Sequence, residues 1–153
     1  VQYDAALALA AAQIADTFVG AERVVPTLAS AIRGADTKFA AVLAPDSGIY
    51  VFPGSVLMPF IDVRADVMIS MGVKVAHHST LEEGVFLSTG VSVGASMRLC
   101  ERAYVGMSAT LVTGKCVTVG AGAMIGAGAV VVSDVPADAV YAGVPAKMIK
   151  SGK

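Results

Sequence analysis

Branched aliphatic residues recur at every sixth position: Val51, Leu57, Val63, Ile69, Val75, Leu81, Leu87, Val93, Leu99, Val105 and Leu111. After a slip of two residues the row resumes at Val119, Ile125 and Val131. A period of six matches neither the turn of a single helix nor the heptad of a coiled coil. A fixed internal period names an architecture before any local propensity does. This one fits a chain wound into stacked coils, each built from several short, equivalent strands.

The positions around the row support that reading. Two residues before each member stands another small or apolar side chain, as at Ile61, Val67, Val73, Ser79, Val85, Val91, Met97, Ala103 and Ala109. The residue between tends to be polar or large, as at Asp62, Lys74, Thr80, Phe86, Ser92, Arg98 and Tyr104. Such in-out-in alternation marks a short strand with one face buried. The following positions must turn a corner. Gly94, Gly106, Gly120 and Gly126 directly follow row members, where a missing Cβ is expected to ease a tight or left-handed bend. The two surplus residues between Leu111 and Val119 are expected to bulge at a corner near Gly114. Fourteen row positions at three per coil give four to five coils, a prism roughly 20–25 Å tall. A sandwich of short strands is the alternative, but its strands would recur irregularly, about every 8–12 residues.

Residues 1–40 lack the row. Residues 5–18 are Ala/Leu-rich and predict a helix, and residues 26–33 predict a second with Pro26 in its first turn. A short apolar run at 39–43 predicts a strand. The division expected is therefore a helical segment at 1–40, a β-helix at 41–138 and a tail at 139–153. No GxGxxG or Walker pattern occurs.

Composition bounds the partners. A net charge of −1 with no Lys/Arg-rich run gives no basis for electrostatic capture of nucleic acid or an anionic membrane. The most apolar run, 117–132, is Gly/Ala-rich and shorter than the ~20 residues that cross a bilayer. No basic, cleavable leader pattern opens the sequence, so a cytoplasmic location and reduced Cys100 and Cys116 are expected. Apolar residues make up 56% of the chain against 15% charged. A small monomer would leave much of that apolar surface exposed, which predicts a tight homo-oligomer.

The units Val119-Gly120-Ala121-Gly122-Ala123-Met124 and Ile125-Gly126-Ala127-Gly128-Ala129-Val130 resemble the hexapeptide repeat of left-handed β-helix acyltransferases. Ser133-Asp134-Val135-Pro136, followed by Ala142-Gly143-Val144-Pro145-Ala146-Lys147, resembles the closing signature of that superfamily. Together the likeness covers about two-thirds of the chain. Within the superfamily the sequence is most similar to the acetyltransferases of sialic acid or UDP-4-amino sugars, whose pattern places a His as in Val75-Ala76-His77. Residues 18–48 resemble the end of those proteins' Rossmann-like N-terminal domain. The resemblance implies an all-β, left-handed parallel β-helix and a homotrimer with its site in the cleft between prisms. It also implies acetyl-CoA lying along the coils as co-substrate, with no metal. The left hand runs against the usual crossover preference and no local feature predicts it.

Acyl transfer from a thioester to an amine or hydroxyl needs a base for the acceptor's proton and a donor for the developing oxyanion. His77 is the candidate base, since imidazole exchanges protons near neutral pH and the repeat sets it at a corner. Eighteen residues on, one full coil, sits Ala95, whose backbone N–H becomes the candidate oxyanion donor; the resemblance implies the same position. Gly94 and Ala95 are small enough for a thioester to approach. By the resemblance, Pro145, Ala146 and Lys147 would meet the nucleotide end of CoA, with Lys147 pairing a phosphate or simply solvated. Ser70, His78 and Phe86 stand at its acceptor-side positions, where the family commonly carries Asn, an acid and His. Phe86 would line a less polar acceptor pocket or pack in the trimer. A partner for the other His77 nitrogen is sought in Glu82, Glu83 or a neighbouring chain.

The expected function is thus CoA-dependent acetylation of a small polar acceptor, a sugar or nucleotide sugar, by direct attack with His77 as base. A non-catalytic trimeric β-helix scaffold is the alternative. A γ-type carbonic anhydrase needs three separated His ligands, and two adjacent histidines do not supply them.

Overall fold

The computed structural model describes residues 42–43 and 48–152. The helices expected within 1–40 lie outside the described residues. Of the strand expected at 39–43, Val42–Leu43 is described and is extended.

The described chain is a parallel β-solenoid of about five turns, with no helix among these residues. Each coil takes three two-residue strands joined by tight corners, so strand n stacks on strand n+3. Sheet one stacks Val42–Leu43, Asp62–Val63, Thr80–Leu81, Arg98–Leu99 and Thr118–Val119. Sheet two stacks Tyr50–Val51, Met68–Ile69, Phe86–Leu87, Tyr104–Val105 and Met124–Ile125. Sheet three stacks Val56–Leu57, Lys74–Val75, Ser92–Val93, Thr110–Leu111 and Val130–Val131. Residues at the end of the chain extend sheet two. Val140–Gly143 pairs parallel with Met124–Ile125 and then antiparallel with Ala146–Lys150.

The aliphatic row faces inward on all three sheets. Every member from Val63 to Val131 is buried, and so are the small or apolar residues two places before them from Ile61 to Ala129, except Val117 beside the widened turn, which is exposed. In-register stacking sets like on like: Leu81 lies under Leu99, and Leu99 under Val119. The core is one continuous apolar column. Its sole buried polar side chain among the described residues is Ser79, whose hydroxyl both donates and accepts a hydrogen bond.

The glycines serve the corners differently from the expectation. The left-handed residue lies three places after each row member from Val51 to Ile125. It is glycine at Gly54, Gly72, Gly84, Gly90, Gly114, Gly122 and Gly128, and non-glycine at Phe60, Asp66, His78, Ser96, Arg102 and Ser108. Gly94, Gly106, Gly120 and Gly126, directly after the row, do not have positive φ. Their requirement is room: a Cβ on Gly106 would lie 2.7 Å from the Ala127 nitrogen and the Ile125 oxygen of the next coil.

The two surplus residues form the wider turn at 113–115, where Lys115 and Cys116 N–H both donate to the Val112 carbonyl. The coil that follows is re-anchored by Asp134. Its Oδ1 accepts from the Val117 N–H at 2.7 Å and the Thr118 N–H at 2.9 Å. Those donors, Val117 first, hold the carboxyl below its ordinary range. A depressed carboxyl pKa contributes stability that is fully present above about pH 4 and is lost as pH falls through the lowered value. Asp134→Asn removes that titration. The melting temperatures of wild type and variant are expected to converge as pH drops from about 5 towards 2. Parallel curves over that range would contradict the assignment.

Candidate active site at the edge between sheets three and one

Corners 59–60, 77–78, 95–96 and 113–115 stack along the edge where sheet three passes into sheet one. The two histidines occupy the second of these, both exposed. The left-handed backbone at His78 (φ 59°) turns its ring beside its neighbour's. The two Nδ1 atoms are 2.9 Å apart, with the rings edge to face at 88°. Such a contact requires one nitrogen to carry the proton and the other to accept it. Phe60 of the coil below lies against His78, with ring centroids 4.9 Å apart. His78 is therefore wedged between Phe60 and His77.

The next coil is locked onto this corner. Ser96 N–H donates to the His77 carbonyl at 2.9 Å. Gly94 and Met97 are tied from inside by Ser79, whose hydroxyl donates to the Gly94 carbonyl at 3.1 Å and accepts from the Met97 N–H at 3.2 Å. Between these ties the Ala95 N–H turns away from the coil-to-coil ladder, as does that of His77; among the described residues the ladder uses positions 76 and 78, then 94 and 96. The Ala95 N–H is not bare. It donates to the Thr113 hydroxyl, one coil further on, at 3.0 Å. The edge thus presents, in rising order, an imidazole pair, an outward amide and a hydroxyl.

No model of a known protein family matches the sequence. Eighty-five residues are 34% identical to serine acetyltransferase 2 of Arabidopsis thaliana, spanning 52% of this chain and 26% of that protein. Two solved structures are of variants of perosamine N-acetyltransferase from Caulobacter crescentus, in complex with CoA and GDP-perosamine. They are similar with TM-scores of 0.56 and 0.55 at 26% and 28% identity, covering 67% of this chain and 57% of each of theirs. The structural neighbours of this chain are thus hexapeptide-repeat acetyltransferases, and its solenoid is similar to theirs. The chain spans little more than half the length of the solved relatives and about a quarter of the plant one.

The hexapeptide-repeat coils distribute the remaining residues singled out from sequence. Gly94 and Ala95 lie one coil above His77 on its own edge. Ser70 belongs to the corner between sheets two and three, where its carbonyl accepts from the Ser55 hydroxyl at 2.8 Å. Phe86 stands on the outer side of sheet two, stacked on Tyr104 with centroids 5.2 Å apart and planes 11° apart. This chain by itself therefore brings neither Ser70 nor Phe86 to the His77 edge. Pro145 and Lys147 are exposed and Ala146 buried on the terminal hairpin beside sheet two.

Glu82, one of the acids the sequence offered as a partner for His77, is committed elsewhere. Its Oε1 accepts from Arg98 Nε at 2.6 Å and its Oε2 from the Glu101 N–H at 3.1 Å. Within this chain the His77 Nδ1 meets the Nδ1 of His78 instead, a residue the sequence analysis set on the acceptor side. Neither cysteine is an activated nucleophile. Burial pushes the Cys116 thiol up to about 11 and raises that of Cys100 as well, so both are thiols at neutral pH.

Proposed function

We propose that this chain is a CoA-dependent acetyltransferase that moves the acetyl group of acetyl-CoA to an amine or hydroxyl of a small polar acceptor of the sugar or nucleotide-sugar class. The observation that carries the reading is the stacking of the His77 imidazole one coil below the outward amide of Ala95, in a fold whose solved relatives include CoA-bound N-acetyltransferases. Base and oxyanion donor on adjacent coils is the arrangement direct acyl transfer needs.

In this mechanism neutral His77 donates from Nδ1 to His78 Nδ1, which leaves the Nε2 lone pair facing outward. The acceptor attacks the thioester carbonyl carbon and Nε2 takes its proton. Negative charge collects on the carbonyl oxygen, above the imidazole, where the Ala95 corner supplies donors. The carbon–sulfur bond then breaks and the imidazolium returns a proton to the departing thiolate. High thiol pKa values at Cys100 and Cys116 favour direct attack over a covalent thioester on the enzyme. Gly94 and Ala95 give the thioester room, and Pro145, Ala146 and Lys147 are assigned to the nucleotide end of CoA.

The protein is assigned as a homotrimer in which a neighbouring prism covers the His77 edge and supplies acceptor contacts from Ser70 and Phe86. Exposed Tyr104 and Met124, in line with Phe86 on the outside of sheet two, provide an apolar strip that association would cover.

CoA titration tests the reading. Binding at 100 times Kd should stabilise the fold by about 2.7 kcal/mol, seen as a saturable rise in melting temperature. A melting temperature indifferent to millimolar CoA would favour the non-catalytic scaffold instead.

A further inference from the structure

The Ala95 amide, the expected oxyanion donor, is already engaged. The Thr113 hydroxyl accepts its proton at 3.0 Å, and Thr113 is exposed. A thioester oxygen approaching from solvent therefore meets the hydroxyl before the amide. Two further features hold the hydroxyl there. A Cβ on Gly94 would lie 2.5 Å from Thr113 Oγ1 and 2.7 Å from its backbone nitrogen, so glycine is what allows the threonine to settle over this corner. Thr113 also opens the widened turn at 113–115, the one corner of this edge that carries extra residues.

A hydroxyl has one proton to give and two lone pairs. One lone pair of Thr113 is taken by the Ala95 N–H, and no described residue accepts the Thr113 proton. Donation from Ala95 also polarises the O–H bond, strengthening the hydrogen bond it can give in turn.

We propose that Thr113 is a catalytic residue of this site: its hydroxyl, backed by the Ala95 amide, donates to the thioester oxygen as charge develops there. This rests on the acetyl-transfer reading above. The bond accounting is simple. The acceptor's lone pair forms the new bond to carbonyl carbon, the carbonyl π pair moves to oxygen, and that oxygen receives a hydrogen bond from Thr113, which keeps its proton throughout. When the oxygen pair returns, the carbon–sulfur bond breaks and CoA leaves as the thiol, with the proton carried by His77. Ala95 acts through Thr113 and orients it.

The test measures thiol release from acetyl-CoA, across a panel of amino sugars and nucleotide amino sugars, by wild type, Thr113→Ser, Thr113→Val and Thr113→Ala. Melting temperature and CoA affinity are measured on each. Thr113→Ser should keep kcat within a few-fold. Thr113→Val and Thr113→Ala should lose about 100- to 1,000-fold in kcat, the usual effect of removing one oxyanion donor, with CoA affinity and melting temperature near wild type. Should Thr113→Ala equal or exceed wild-type kcat, the bare Ala95 amide is the donor and Thr113 merely covers it, which overturns the proposal alone. A loss of activity in Thr113→Ser as large as in Thr113→Ala, or one matched by lost CoA affinity or melting temperature, also overturns it. A wild type that neither binds CoA nor releases thiol overturns the acetyl-transfer reading and this assignment with it.

Discussion

His77→Ala is expected to lower turnover by about 100- to 10,000-fold, the range spanned by positioned general bases. The same variant should leave the melting temperature near wild type. His77 is exposed and its ring contacts are confined to His78, so little packing goes with it. Its backbone N–H is outside the coil ladder, and its carbonyl still accepts from Ser96 whatever the side chain is. The loss should appear in kcat, with the KM for acetyl-CoA little changed, because in the proposed mechanism the imidazole acts on the acceptor's proton. Steady-state thiol release with circular-dichroism melting separates the two effects. Undiminished turnover would remove His77 from the mechanism.

The largest structural effect is expected at Leu99. It is fully buried in the middle of the column, stacked between Leu81 and Val119. Leu99→Ala removes three carbons from a site whose neighbours are held by backbone ladders above and below, so the cavity collapses little. The expected cost is about 2–5 kcal/mol. In a solenoid each coil touches only the next, so a defect in a central coil also weakens the coupling of the two halves. Urea unfolding should therefore show a lower midpoint and a broader or split transition. Glu83→Ala, at an exposed corner, should stay within about 0.5 kcal/mol of wild type. Equal stabilities for the two variants would contradict the stacked core.

The architecture was legible because the row positions face one apolar column, and burial imposes its period directly on residue type. The widened turn after Leu111 showed itself as a break in that period. What the corners do was less readable. Gly106 looked like a bend residue, yet its role is set by the Ala127 backbone twenty-one residues away, and only the stacking of coils brings the two together. The same holds for Thr113. Its register, thirty-six residues after His77 and eighteen after Ala95, was present in the sequence, but a threonine in a turn carries no mark of aiming at a particular amide. His78 was the opposite case. Its placement against His77 follows from the left-handed backbone that the corners from Gly54 to Gly128 share at that position, a rule visible once several corners are compared. Among the three sources offered for a His77 partner, Glu82 drops out because charge alone does not tell which cation, here Arg98 on the neighbouring strand, will claim it.

The most direct measurement is a crystal structure with an unreactive thioether analogue of acetyl-CoA bound. The account predicts the acyl carbonyl on the edge between sheets three and one, its oxygen within about 3.2 Å of Thr113 Oγ1 or the Ala95 nitrogen and its carbon open to the acceptor beside His77. An acyl group held on another edge of the prism, out of reach of that imidazole, would contradict it.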